Sequence, residues 1–394
     1  MGELNPRDEA DLADCIIKAA SEKEPLEIVG GGSKRALGRP VLAKKTLSIA
    51  HHNGISLYEP GALTIVAKSG TPLSEVEAAL ARENQRLSFE PMDYRPLLGE
   101  ASEPTIGGTV ATNTSGPRRI QSGACRDSLI GVRFVNGEGE IIKNGGRVMK
   151  NVTGLDLVKL MCGSYGTLGV LSEVSFKVLP MNEREATLLI HGQTIETAVK
   201  KLAQALGSPF EVTGAAIVAE AAGTTAALRV EGFSGQVDYK LGNLAELLGG
   251  DSTVLESVAH KAFWARVRNV EDFAGHDTPV WKISVKPSDA PRVIAEVRSK
   301  MDANVMLDWG GGLIWLELPE SSTAHPKKIR EIISAFGGHA TLIRASEEIR
   351  SSTSVFHPEA ARLAALSRDL RSKFDPFGIL NPGRMVAEGE FHAN

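Results

Sequence analysis

Residues 104–116, PTIGGTVATNTSG, constrain the fold more than any other part of this 394-residue chain. Gly107 and Gly108 sit between apolar Ile106 and Val110, and Thr109, Ala111, Thr112, Asn113, Thr114 and Ser115 lead on to Gly116. Residues without a Cβ, or with a short polar side chain, suit a backbone that must come close to a bulky polar ligand. Successive N–H groups in such a loop can form a nest for a diphosphate. A tight turn before a buried helix would use the same residues, so both readings stay open here.

Two more glycine-rich turns share the chain. Residues 26–37 read LEIVGGGSKRAL: a short apolar strand over 26–29 runs directly into Gly30, Gly31, Gly32 and Ser33. Strand, glycines, then a small polar residue is the layout of a phosphate-cradling turn. It is neither a Walker A loop nor a clean G-x-G-x-x-G, and a glycine turn between two strands would look the same. Residues 163–170, GSYGTLGV, form the third turn and feed an alternating strand that ends at Pro180.

Charge and cysteine usage exclude several classes. A net charge of −4 argues against nucleic-acid binding through a basic face. No apolar run is long enough to span a bilayer. The acidic, helix-patterned N-terminus is not a signal peptide, and no Ser or Thr completes a myristoylation site, so a cytoplasmic protein is expected. Cys15, Cys125 and Cys162 form no C-x-x-C pair, which speaks against zinc or iron–sulfur ligation, and buried thiols are expected at Cys15 and Cys162. Redox chemistry in this chain needs an organic cofactor. Adjacent His51 and His52 would point to opposite sides of a strand, which does not suit one metal.

The spacing predicts a helix over 5–20 with Asn5 as N-cap, strands over 47–49, 57–58 and 63–68, and a helix over 73–84. Glu90-Pro91-Met92 makes a rigid corner. A strand over 129–135, a turn at 136–139 and a return strand over 140–143 form a hairpin, followed by a helix over 153–161. Residues 181–345 change character. Helices near 195–206 and 291–301 alternate with strands near 215–218, 226–230, 280–285 and 313–318, which suits helices laid on an antiparallel sheet. A helix over 358–373 should turn Leu363, Leu366 and Leu370 inward, and residues 391–394 should fray.

Four segments then carry a family resemblance. IVGGGSK at 28–34, the central stretch, TGLDLVKLMCGSYGTLGVLSEVSFKVLP at 153–180 and FDPFGILNPGRM at 374–385 resemble the FAD-binding domain of the vanillyl-alcohol oxidase or p-cresol methylhydroxylase (PCMH) type. SGPRR, VMKNVTGLDL, LDWGGGLIWL and GGHATLIRA resemble, more narrowly, the smaller FAD-binding subunits of bacterial glycolate oxidases. The implied fold is α+β: a two-subdomain PCMH-type FAD-binding domain over 1–180, divided near 88, an α+β cap with an antiparallel sheet over 181–345, and a C-terminal segment over 346–394 that returns to the FAD domain.

By resemblance, Gly30, Gly31, Gly32, Ser33 and Lys34 hold the FAD pyrophosphate. Pro91, Thr105, Gly107, Gly108, Thr109, Ala111, Ser115 and Gly116 wrap the pyrophosphate and ribityl side. Gly166, Thr167, Leu168, Gly169 and Val170 line the flavin, and Asn381 and Arg384 return to its edge. Members with covalent flavin carry a histidine in the first loop; Ser33 and Lys34 here imply non-covalent FAD. Catalytic subunits carry an acid where Tyr165 stands, and a His/Glu metal site that has no counterpart in this sequence, which weakens the case for direct 2-hydroxy-acid oxidation. On the cap, Trp281, Lys282, Trp309, His339 and Arg344 are the candidates to face the flavin: Lys282 or Arg344 would pair with a substrate carboxylate and His339 would take a hydroxyl proton, while a core place for Trp281 and Trp309 and a turn for Asp308 are the alternatives.

The implied function is an FAD-binding subunit of a glycolate-oxidising complex. Its implied partners are a larger FAD-binding catalytic subunit and an iron–sulfur subunit, with membrane contact only through the complex. A stand-alone dehydrogenase of a small hydroxy acid such as D-lactate, or a structural subunit with a vestigial flavin fold, are the alternatives.

Overall fold

The computed structural model describes residues 2–146, 154–220, 223–319 and 323–387. The expected helix start at 153 and the expected fraying at 391–394 lie outside them.

The chain begins as a strand, not a helix. Gly2–Leu4 pairs in parallel with Lys45–Ser48, which pairs in parallel with Leu26–Val29. Because that strand claims the first residues, the following helix starts late, at Glu9–Glu22. Its N-cap is Asp8, whose carboxylate accepts the Asp11 N–H at 2.9 Å, and not Asn5. Leu12, Ile16 and Ala19 form the helix's buried stripe, packed with Leu26, Leu47, Ile379 and Leu380. Residues from both ends of the chain therefore share one small core. Cys15 sits beside this stripe only half-buried, whereas Cys125 and Cys162 are buried.

A second sheet runs Ile55–Glu59, Thr64–Lys68, Val170–Pro180, Leu129–Val135, Ile141–Gly145, with Gln85–Leu87 added on the far end of Val170–Pro180. The alternating strand after the third glycine turn is thus its centre. Ile65, Val76, Leu80, Phe89, Phe134, Val174 and Phe176 fill its core, and the Phe89 and Phe176 rings lie 5.4 Å apart. The central stretch enters this core as a short helix, Ile106–Ala111, with Thr105 as N-cap. The stretch is a turn into a buried helix that borders a cavity, and the N–H groups of Ile106, Gly107, Gly108 and Thr109 are already taken by Thr71, Ser69 and Thr105, so they form no open nest.

The third sheet is antiparallel and eight-stranded. Its spatial order is Ser252–Glu256, Arg184–Gln193, Gly223–Gly232, Gly214–Glu220, Asn304–Asp308, Leu313–Glu317, Val280–Ser284, His339–Arg344. Helices Ile195–Leu206, Ser234–Leu248, Ala290–Arg298 and Pro326–Ser334 cover one face. The other face packs Leu313, Trp315 and Ile343, together with Trp264 of helix Ser257–Asn269, against Leu37, Met92, Tyr94 and Leu97 from the first hundred residues. That face looks toward the glycine turns.

The last helix, Ala361–Phe374, departs from expectation. Leu363 and Leu366 are 51% and 54% exposed, and Arg371 is the buried residue. The helix is anchored at its C-terminal end instead. Arg371 donates to the Leu380 carbonyl at 3.0 Å, and Phe374 meets Phe134 with ring centroids 6.1 Å apart.

Candidate functional site

The first glycine turn leaves a run of backbone donors without partners. Among the described residues, none of the five successive N–H groups of Gly30, Gly31, Gly32, Ser33 and Lys34 donates a hydrogen bond. Unpaired N–H groups are costly unless water or a ligand takes them. Gly32 has φ +97°, which an L side chain resists. A Cβ on Gly31 would collide with the Glu103 carbonyl, and one on Gly30 with the Thr105 hydroxyl. The turn can therefore lie against the central stretch only while it is made of glycine.

Two adjoining cavities form between these turns. Gly30, Gly31, Gly32, Ser33, Lys34, Thr105, Gly108, Ala111, Asn381 and Arg384 line the first. The second shares Gly30, Gly108, Ala111 and Asn381 and adds Gly107, Gly166, Gly169 and Val170. Six expected site residues lie outside both walls: Pro91, Thr109, Ser115, Gly116, Thr167 and Leu168. Their groups are used elsewhere. Thr109 donates to the Thr105 carbonyl, Thr167 to the Ser164 carbonyl, and Ser115 accepts the Cys125 N–H at 2.9 Å. A Cβ on Gly116 would collide with the Glu90 carbonyl, so that glycine serves packing.

Asn381 braces the cavities. Its carbonyl accepts the Ile28 N–H at 2.8 Å, and its amide donates to the Tyr165 carbonyl at 2.8 Å. One side chain from the tail thereby links the first and third glycine turns. Arg384 donates to the Arg35 and Leu37 carbonyls at 2.7 and 2.9 Å, so its guanidinium holds the first turn. Burial pulls it down to about 10. Lys34 projects into the interior, where burial pulls its ammonium down to about 8 while Asp93 and Cys125 work against that. Cys125 and Cys162 touch, although 37 residues separate them, and burial pushes the Cys125 thiol up.

The sheet face opposite carries the other group. Register places Lys282 across from Trp315 and Thr341, and Ser284 across from His339, so these side chains share one face. The Lys282 ammonium lies 5.3 Å from the Trp309 ring centre and 5.5 Å from that of Trp315. Arg119, from the segment after the central stretch, stands over the Trp309 ring at 4.6 Å. Trp309 has φ +54° and donates its indole N–H to the Gly116 carbonyl at 3.1 Å. His339 is exposed, with His357 at 6.4 Å between ring centres. Partial burial, then His357, Lys282 and Arg119, hold its imidazole below the ordinary value. Next to it, Phe356 meets Tyr165 edge-on at 5.0 Å. No local pattern in the sequence marks Phe356 or His357, because both follow an irregular stretch.

Arg344 does not share this group. Its guanidinium donates to Glu317, Thr278 and the carbonyls of Leu97 and Phe273. Every donor is spent tying the cap strand to neighbouring segments, so the expectation that it meets a substrate carboxylate is corrected. Trp281 is fully buried and donates to the Ala324 carbonyl at 2.9 Å, so it takes the core role and not the flavin-facing one.

Comparison with known proteins decides the family. A family model described as an FAD binding domain matches residues 2–145. The glycolate oxidase subunit GlcE of Escherichia coli is 39% identical over 96% of this chain and 97% of its own length. The chain belongs to the GlcE family. Glycolate oxidase subunit GlcD of Bacillus subtilis is 28% identical over 52% of this chain and 42% of its own length. Among solved structures, 4-ethylphenol oxidase from Gulosibacter chungangensis shares the fold, with a TM-score of 0.72 at 13% identity over 98% of this chain and 90% of that one.

A GlcE-family chain with this domain belongs among the FAD-dependent oxidoreductases, and its fold is α+β. The local chemistry suits FAD. Five unpaired N–H groups offer a diphosphate successive donors.

A separate set of charges joins the two halves of this GlcE-family molecule. Arg229 makes a two-pronged pair with Glu90 at 2.9 and 3.0 Å. Arg118 and Arg86 both reach Glu231, and Arg118 also approaches Glu90 and Glu185. Burial opposes the charge on Glu90, yet Arg229 and Arg118 hold it down at about 2. Burial likewise opposes the charge on Glu231, and the same arginines keep it well below the usual carboxylate range. Among the described residues, no helix is long and apolar enough to cross a membrane.

Proposed function

We propose that this chain holds FAD non-covalently between its glycine turns, with the diphosphate on the N–H groups of Gly30–Lys34. The observation that carries this is the run of five unpaired donors. FAD supplies two-electron oxidation. The protein's own part is to close the turns through Asn381 and Arg384, and to set the Lys282 and His339 face opposite. There Lys282 would orient a 2-hydroxy acid, and His339, held neutral near pH 7 by its surroundings, would take the hydroxyl proton. A larger FAD-binding subunit and an iron–sulfur subunit complete the proposed complex, and any membrane contact runs through them. Two touching thiols and a remote third do not supply a cluster's ligands within this chain.

An absorption spectrum of the purified chain, before and after acid precipitation and then with anaerobic glycolate, tests the reading. Flavin released by acid is the expected result. Flavin left on the precipitate would refute non-covalent binding, and no flavin bands at all would refute the cofactor site. Bleaching by glycolate would give this chain its own dehydrogenase half-reaction. Released flavin that glycolate does not bleach would make it a relay subunit.

A further inference from the structure

Like charges do not gather around one ring without a reason. Arg119 and Lys282 both approach Trp309, at 4.6 and 5.3 Å from its ring centre. They come from segments more than 160 residues apart, one beside the central stretch and one on a cap strand. No described carboxylate forms an ion pair with either cation, although the other arginines of this interface are paired. Each is held below its ordinary value, first by burial, and Lys282 next by Arg119 itself. Asp127 acts on Arg119 and Asp308 on Lys282, neither as an ion pair. The Asp308 carboxylate accepts the Trp309 N–H at 2.7 Å, and burial pushes it up to about 7, the opposite of what a counter-ion for two cations would show.

The indole is held rigidly in this position. Trp309 sits in the left-handed region with its N–H tied to the Gly116 carbonyl. A bulky residue at φ +54° persists only where the surroundings over-determine it. The two cations sit at the accessible end of the group, with Arg119 and His339 exposed and Lys282 half-buried.

We infer that Arg119, Lys282 and Trp309 form a carboxylate clamp that takes the carboxylate of a small 2-hydroxy or 2-oxo acid. The two cations bind the anion, and Trp309 is a positioning residue on whose ring both cations rest. The assignment rests on the reading that this sheet face looks onto the flavin. It adds Arg119, a residue outside the cap, as half of the anion site. A carboxylate fits better than a metal, because the groups that converge are cations.

The test is calorimetric titration of the full-length chain with oxalate, a small carboxylate that this chemistry does not oxidise, and with inorganic phosphate. Wild type should bind oxalate saturably and phosphate more weakly. Lys282→Met and Arg119→Met should each weaken oxalate binding about tenfold or more, the size of a lost charge-assisted contact, and the double variant should abolish it. Arg119→Lys should recover part of the loss, which a merely structural arginine would not allow. Oxalate binding unchanged in the double variant, absent in wild type, or no tighter than phosphate binding would overturn the clamp. Melting curves of each variant show whether it is folded. Flavin absorbance of the same samples separates the two ideas: flavin present without oxalate binding defeats the clamp alone, and oxalate binding without flavin defeats the cofactor reading alone.

Discussion

Two sets of charge lie between the flavin-binding part and the cap, and they differ in one respect. Around Glu90, Arg118, Arg229 and Glu231 every full charge has an opposite charge in contact. Around Trp309, Arg119 and Lys282 have none among the described residues. The first arrangement is complete in itself and joins strand Gly223–Gly232 to the corner at Glu90. The second is incomplete, and its deficit is a negative charge. Burial alone does not separate structural from functional charge at an interface; internal neutrality does.

The sharpest way to break that contrast is to unbalance the complete set. Arg229→Met should cost about 3–5 kcal/mol, because it leaves Glu90 buried without its two-pronged partner. Denaturant unfolding of the whole chain reads this, and a loss below about 1 kcal/mol would show that water already reaches Glu90.

Next in size is the backbone nest. Gly31→Ala drives a methyl into the Glu103 carbonyl and should cut flavin retention about tenfold, measured as the ratio of visible to protein absorbance. Full flavin with an unshifted melting point would mean that the first turn is not the diphosphate site.

Acid should act through the paired set. Glu90 has a folded value of about 2 against an ordinary 4.5, so the unfolded chain binds the extra proton between those values. Its stabilising contribution is full above about 4.5 and is lost as pH falls toward 2. A melting-temperature series from pH 6 downward should decline in that window, less steeply in Glu90→Gln. Parallel slopes would place the loss on other carboxylates.

The smallest effect sharpens the comparison from the other side. Lys282→Met removes a cation that has no ion-pair partner among the described residues, and the methionine keeps contact with the Trp309 and Trp315 rings, so the melting temperature at pH 7 should not fall. In wild type, stability should rise with pH between about 8 and 10.5, where only the unfolded chain keeps that lysine's extra proton. The variant should lack the rise. A clear drop on Lys282→Met at pH 7 would mean that the ammonium has an anionic partner after all.

How much of this could be read from residues follows from the same division. The nest is local: Gly30–Lys34 are adjacent in the chain, so their composition exposes them. Helix Ile195–Leu206 was legible to the residue, because Thr194 caps it and Ala198, Val199 and Leu202 keep its period. Strand Val280–Ser284 was legible as a strand, but its register was not. Lys282 meets Trp315 and Thr341 only through pairings that no short window contains. Arg344 shows the opposite failure. A charged residue at a strand end has the same local pattern whether it meets solvent, substrate or, as here, five acceptor atoms on four residues of distant segments. The leucines of Ala361–Phe374 misled for a third reason. Periodicity marks an apolar face but does not say that this chain covers it, and Leu363 and Leu366 stay exposed.

Asn381 has a bearing on how such a chain is made. Both of its links, to Ile28 and to Tyr165, wait for a residue that the ribosome adds after more than nine-tenths of the chain. A nascent chain that has already formed its sheets still has its first and third turns unjoined. Cofactor loading therefore belongs to the end of synthesis, and a translation product stalled anywhere before the tail should leave the ribosome colourless.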